Sequence, residues 1–244
     1  MTYATKALEL AHRVAESQAE PVNRAAGLIV EALRAGGVVN AFGSGHSEAI
    51  AMEIAGRAGG LVPSNRLSPR DLVLYGGEPP GVLTPELERD PAVARRIYDL
   101  APVDPHDVFV LVSSSGVNGT VVELATIVKE RGHPLIAITS VEHSTRMTSR
   151  HPSGRRLLDL ADVVLDNGSP YGDAVLDLPG GGAYGAVSTI TSALLAQMVV
   201  TEAVERLAAL GETPPIYLSV NVTGGDEHNK ALESRYAGRI RRGA

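Results

Sequence analysis

FVLVSSSGVNGT, residues Phe109–Thr120, is the stretch whose reading decides the fold. An apolar, strand-forming run reaches Val112. Three consecutive hydroxyls and a glycine follow, and an amphipathic segment begins near Val117. That order reads as strand, serine loop, helix. In such a turn the hydroxyls of Ser113, Ser114 and Ser115 stand with nearby backbone N–H groups around the positive end of a helix, which holds a phosphate without a lysine. The dipole is worth roughly 0.3–1 kcal/mol. Each hydrogen bond to a charged oxygen adds about 1.5–3 kcal/mol, so the hydroxyls outweigh it. The same residues also fit a plain polar turn whose serines cap a helix starting at Val117. The loop alone leaves both readings open.

Outward from that loop, the pattern repeats. Residues 3–35 carry apolar positions at helical spacing, with Pro21 near a break or in the first turn of a second helix. Val38–Phe42 is a short apolar run ending in Gly43-Ser44-Gly45-His46-Ser47, a second Gly/Ser loop, with helix through Glu48–Arg57. Segment 61–102 carries seven prolines and reads as one strand near Leu61–Leu67 and one helix near Ala92–Leu100. An irregular segment of that length in a compact domain belongs to function or to an interface. Asp107–Val112 is the third strand, Val117–Arg131 its helix, Pro134–Thr139 the fourth strand and Ala161–Leu165 the fifth. Val141–Arg156 reads as a short helix and a surface loop. Ala174–Leu178 reads as a short edge strand, Tyr184–Leu210 as a long helix, Ile216–Val222 as extended chain, and the stretch to Ile240 as a final helix capped by Asp226. The basic end, Arg239, Arg241 and Arg242, reads as a solvated terminus. Alternating strands and helices predict a single α/β domain over 1–244. Its doubly wound, five-stranded parallel sheet has order 2-1-3-4-5, with N-terminal helices over about 3–35 and a C-terminal extension over about 212–244.

Composition narrows the function. The chain has 244 residues, no cysteine, no tryptophan and only two phenylalanines. Aliphatic residues and alanine therefore fill the core, which suits helices layered on a parallel sheet. A net charge of −6 opposes a nucleic-acid footprint, so an anionic ligand depends on a local site. The N-terminal residues have no signal-like apolar core, and no apolar run approaches the roughly 20 residues of a membrane span. The absence of cysteine suits a reducing compartment. The expectation is a cytoplasmic protein without membrane or nucleic-acid partners.

The two Gly/Ser loops follow the first and third strands. In sheet order 2-1-3-4-5 these strands are neighbours that diverge at the topological switch point, where such folds bind ligands. Two loops at one crevice favour an anion site over plain turns. A dinucleotide fingerprint fails, because Gly43-x-Gly45-x-x-Glu48 lacks the third glycine, and no P-loop lysine is present. No cofactor is expected. His12, His106, His133, His143 and His151 have no metal-ligand spacing, so no metal is expected either.

FGSGHS (Phe42–Ser47), VSSSGVNGTVVE (Val112–Glu123), VKERG (Val128–Gly132) and LIAITS (Leu135–Ser140) together resemble the SIS, or sugar isomerase, domain family. GSGHS, RAGG, SRHPSG (Ser149–Gly154), YGDA (Tyr171–Ala174) and Tyr236–Ile240 further resemble its phosphoheptose-isomerase-like bacterial branch. The resemblance implies a phosphorylated sugar as ligand and a homodimer or homotetramer. It implies phosphate and sugar contacts at Ser44, Ser47, Ser113, Ser114, Ser115 and Asn118. It also implies an aldose–ketose isomerase in which a carboxylate shuttles a proton through an enediol. Glu53, three residues before Gly56-Arg57, matches the family's catalytic glutamate, and a largely apolar helix would raise its pKa. A solvated helix carboxylate is the plainer reading. The family's late-helix histidine has no counterpart in Ala186–Leu195, which leaves His46 in the first loop, or His228 and Glu227 near the C-terminus, as candidates to complete the acid–base pair. Elimination at a lactyl ether or amino-sugar centre, and a non-catalytic phosphosugar sensor, are the alternatives. The absence of a helix-turn-helix before the first strand lowers the regulator form of the latter.

Overall fold

The computed structural model describes residues 2–242. Helices α1 (Tyr3–Ser17) and α2 (Ala19–Arg34) lead into β1 (Val39–Gly43) and α3 (Glu48–Ile54). Next come β2 (Ser64–Leu67), α4 (Asp71–Leu74), α5 (Ala92–Leu100), β3 (Val108–Val112) and α6 (Gly119–Glu130). The chain continues through β4 (Leu135–Thr139), α7 (Val141–Arg146), β5 (Val163–Asp166), β6 (Ala174–Asp177) and β7 (Ala183–Ala186) to α8 (Ser188–Ala209) and α9 (Gly225–Glu233). The main sheet is parallel, in the expected order β2-β1-β3-β4-β5. Pro21 lies in the first turn of α2, where its missing N–H costs nothing.

The all-apolar runs of β3 and β4 follow from burial on both faces. Val108, Val110, Val112, Ile136 and Ile138 face one core with α1, α2, α3 and α8. Phe109, Leu111, Leu135 and Ala137 face the other, with α5 and α6. Strand alternation thus splits one apolar sequence between two helix layers. Among the described residues no helix is long and apolar enough to cross a membrane.

Four expectations need correction. Ala174–Asp177 is a strand, but it pairs antiparallel with β7 in a separate hairpin and is not an edge of the main sheet. The long helix therefore begins at Ser188, because Ala183–Ala186 is committed to that hairpin; Asp173 caps the helix, accepting from the N–H of Ser188 at 2.8 Å and its hydroxyl at 2.6 Å. Asp226 does not cap α9. Gly224 takes that position with φ +77°, and Asp226 pairs with Lys230 one turn on. The basic end is not a solvated tail either. Arg239 donates to the fully buried Asp107 carboxylate at 2.6 Å, the Arg241 N–H donates to Asn65 at 2.8 Å, and Arg242 donates to the carbonyls of Ser64 and Val62. Asp107 in turn accepts from Asn40, which accepts from Asn65, so the tail completes a buried polar chain beneath the sheet.

Candidate functional site

Gly43 at the end of β1 is in register with Val112 at the end of β3, so the two Gly/Ser loops leave adjacent strands at the same level of the sheet. The loop after β3 is anchored by its carbonyls. The Ser114 carbonyl accepts from the Ser140 N–H at 3.0 Å and from the Thr139 hydroxyl at 3.2 Å. The Gly116 carbonyl accepts from the Leu157 N–H at 2.8 Å, and the Val117 carbonyl from the Arg150 N–H at 2.9 Å. The N–H groups of Ser114, Ser115 and Val117 make no hydrogen bond among the described residues. Carbonyls drawn inward and N–H groups left free give the loop the geometry of a backbone nest. Gly116 makes this turn at φ +62°, and a Cβ there would press on Ser144, Thr139 and Leu157 at 3.2–3.3 Å. Gly119, the first residue of α6, lies so close to the Arg89 carbonyl that a Cβ would meet its oxygen at 2.2 Å.

The hydroxyls divide into two sets. Ser113 Oγ accepts from the Gly116 N–H at 3.1 Å, which leaves its own O–H free to donate, and Ser114 Oγ lies 3.3 Å from Ser169 Oγ. None of the three serines caps α6, whose first residue follows Asn118. Ser115, and in the first loop Ser44 and Ser47, make no side-chain hydrogen bond among the described residues, and all three are only half-buried. Such hydroxyls are unsatisfied until water or a ligand reaches them. His46 is exposed on the first loop.

Two charged residues that sequence reasoning missed stand at this crevice. Glu88, on a 3-10 turn in the proline-rich segment, places Oε1 2.7 Å from where a Cβ on Gly45 would lie. Its Oε2 accepts from Asn118 Nδ2 at 3.4 Å, so it touches both loops. Arg150, within SRHPSG, donates to Asn118 Oδ1 at 3.0 Å and brings a cation to the cradle. The only signals for them were the length of segment 61–102 and the motif around Arg150.

Glu53 stands at the far end of α3, more than one helical turn beyond the first loop. Its carboxylate is ion-paired with Arg57 and accepts from Gln197 Nε2 of α8 at 2.8 Å, so its surroundings are polar and charged, unlike the apolar setting expected from Met52 and Ile54. Gln197 lies just past the stretch where the late-helix histidine is missing. His228 is not brought to the crevice within the chain. Its ring shares a hydrogen bond with the Ile216 carbonyl at 3.0 Å, and Ile216 bridges to Leu61 at the opposite, N-terminal end of the sheet. His133 is buried between Tyr98 and the Asp107 carbonyl, and burial lowers its pKa.

Comparison with known proteins agrees with this architecture. UPF0309 protein lmo0025 of Listeria monocytogenes is 39% identical over 241 residues, covering 98% of each chain. The phosphoheptose isomerase GmhA of Neisseria gonorrhoeae superposes with a TM-score of 0.52 at 18% identity, over 81% of this chain and 93% of that one. The Vibrio vulnificus NanR protein complexed with ManNAc-6P superposes with a TM-score of 0.50 at 16% identity, over 96% of this chain and 66% of that one. At these identities the two structures speak to the fold. A profile described as "SIS domain" matches residues 2–140, a span that contains both serine loops. With that match and the sheet order beneath it, the chain belongs to the SIS domain family.

Proposed function

We propose that the protein binds a phosphorylated sugar at the switch-point crevice and interconverts its aldose and ketose forms. The observation that carries this reading is the loop after β3, where carbonyls turn inward while the N–H groups of Ser114, Ser115 and Val117 and the hydroxyl of Ser115 stay free. In this reading Ser113, Ser114, Ser115 and Asn118 take the phosphate, with Arg150 beside them, and Ser44 and Ser47 take sugar hydroxyls. Isomerisation then needs a carboxylate to carry a proton between C1 and C2 through the enediol. The resemblance assigns that task to Glu53. Glu88 is the carboxylate that touches both loops. His46, exposed beside Gly45, exchanges the proton of the sugar oxygen.

A second reading, a phosphosugar-binding protein that performs no chemistry, is favoured by the engagement of Glu53 with Arg57 and Gln197. Solvent-deuterium incorporation at C1 or C2 of a panel of ketose and aldose phosphates, followed by proton NMR, separates the two. Exchange by the wild-type chain that falls by at least ~100-fold in Glu53→Gln or Glu88→Gln supports isomerisation. Binding without exchange assigns the sensor role, and full exchange in both variants overturns the carboxylate mechanism.

A further inference from the structure

Beside Gly45 the crevice opens away from the phosphate loop. A cavity of about 540 Å³ runs from Gly45 past Glu48 to Arg66 and Arg70. A second, of about 460 Å³, shares Gly45, Glu48 and Arg70 and reaches Glu88 at the loop crossing. Together they form one groove leading from the serine crevice to the free edge of the sheet.

Arg66 lies in β2 with its side chain three-quarters buried, only 23% exposed. Its guanidinium has five donors, yet among the described residues it makes no hydrogen bond. Glu48 Oε1 stands 3.5 Å from it and itself lacks any hydrogen-bond partner among the described residues. Arg70 holds the other oxygen of Glu48 at 3.2 Å. Two guanidiniums thus share one carboxylate at this end of the groove, while Glu88 stands at its other end beside Gly45. Asp71 and Arg241, which also act on this cluster, carry opposite charges.

Strand register places this cation. Arg66 is opposite Ala41 of β1, and Ala41 is opposite Val110 of β3. Two strand spacings, about 10 Å, therefore separate Arg66 from the strand that ends in the phosphate loop. The first Gly/Ser loop lies between them. Met52, Leu74 and Leu83 supply apolar walls along the path.

We propose that Arg66, with Arg70 beside it, forms a second anion subsite, so that the ligand is a phosphorylated sugar with another acidic group at its far end. A planar guanidinium fork accepts a carboxylate or a phosphate equally well, so both a sugar bisphosphate and a phosphorylated sugar acid fit. The inference rests on the phosphate lying in the Ser113–Asn118 loop.

Calorimetric titration with inorganic phosphate, fructose 6-phosphate, fructose 1,6-bisphosphate and 6-phosphogluconate tests it. The chains compared are the wild type, Arg66→Gln, Arg70→Gln and Ser113→Ala/Ser115→Ala, each checked for an intact thermal transition. A doubly anionic probe should bind the wild type about 10- to 100-fold more tightly than fructose 6-phosphate, the size of a charge-assisted pair. Arg66→Gln should erase that preference while inorganic phosphate binds as before. Preference for the bisphosphate identifies phosphate as the second group, and preference for 6-phosphogluconate identifies carboxylate. Equal binding of singly and doubly anionic probes, or an undiminished preference in Arg66→Gln, overturns the subsite. Arg66-dependent binding that survives Ser113→Ala/Ser115→Ala overturns the phosphate-loop reading alone. Failure of all four probes to bind the wild type overturns both.

Discussion

Replacing Ser113, Ser114 and Ser115 one at a time by alanine should give three different results, because the structure employs the three hydroxyls differently. Ser115 makes no side-chain hydrogen bond among the described residues, so Ser115→Ala removes only a ligand contact. Loss of one hydrogen bond to a charged oxygen is worth about 1.5–3 kcal/mol, roughly 10- to 150-fold in affinity. Thermal stability should stay within about 0.5 kcal/mol of the wild type. Ser113→Ala loses a similar ligand contact and also strands the Gly116 N–H, which donates to Ser113 Oγ at 3.1 Å in a buried turn. An unsatisfied buried donor costs about 1–3 kcal/mol, which lowers the melting temperature by about 2–4 °C per kcal/mol in a chain of this size. Ser114→Ala breaks the 3.3 Å contact between its hydroxyl and Ser169 Oγ, a neutral pair worth about 1 kcal/mol, and leaves its free N–H in place as the phosphate donor. Calorimetric titration with inorganic phosphate and scanning calorimetry of the same samples measure both quantities. Unchanged phosphate binding in Ser115→Ala refutes the cradle. Equal melting temperatures for Ser113→Ala and Ser115→Ala refute the assignment of the Gly116 bond.

Two further measurements bear on the rest of the molecule. Burial raises Asp71 from an ordinary 3.8 to about 6, against the pull of the Ser68 N–H, Arg241 and Arg66. Its folded pKa lies above the unfolded one, so the stability it contributes is complete below pH about 4 and is lost as pH rises through about 6. Asp71→Asn should therefore be more stable than the wild type at pH 8 by up to about 3 kcal/mol, with the gain vanishing near pH 4; a gain independent of pH in urea titrations would count against a buried charge. The other concerns assembly. Ile190 of α8 and Leu8 of α1 are exposed, and half-buried Leu194 and Met198 line an open groove with Gln197. A second copy covering this face should make the chain sediment as a dimer or larger at micromolar concentration, and Met198→Glu should weaken it. A wild-type monomer would refute the assembly.

Much of this architecture was legible because local chemistry and global fold agree. VFVLV can only be a strand buried on both faces, and the Gly/Ser runs after it and after Val38–Phe42 can only turn. The order 2-1-3-4-5 then follows from right-handed crossovers. Patterning failed where the determining contact is distant. Tyr184 to Ala186 are compatible with a helix, and only pairing with Ala174–Asp177 makes them a strand. Arg239 and Arg242 look like a charged end, and only Asp107, more than 130 residues away, gives the first a buried partner.

The candidate site shows the same division. Ser44, Ser47, Ser113, Ser114, Ser115 and Asn118 were nameable from the sequence because they lie within two loops, and a loop's backbone is set by its own glycines and by the strand and helix it joins. Glu88, Arg150 and Arg66 were not, since each reaches the crevice from another segment, and no periodicity encodes where a side chain ends after two or three turns of chain. By itself the sequence determined the sheet and the two Gly/Ser loops that leave it. Only the tertiary structure decided which charges stand around those loops, because charge placement depends on distances between segments that packing alone brings together.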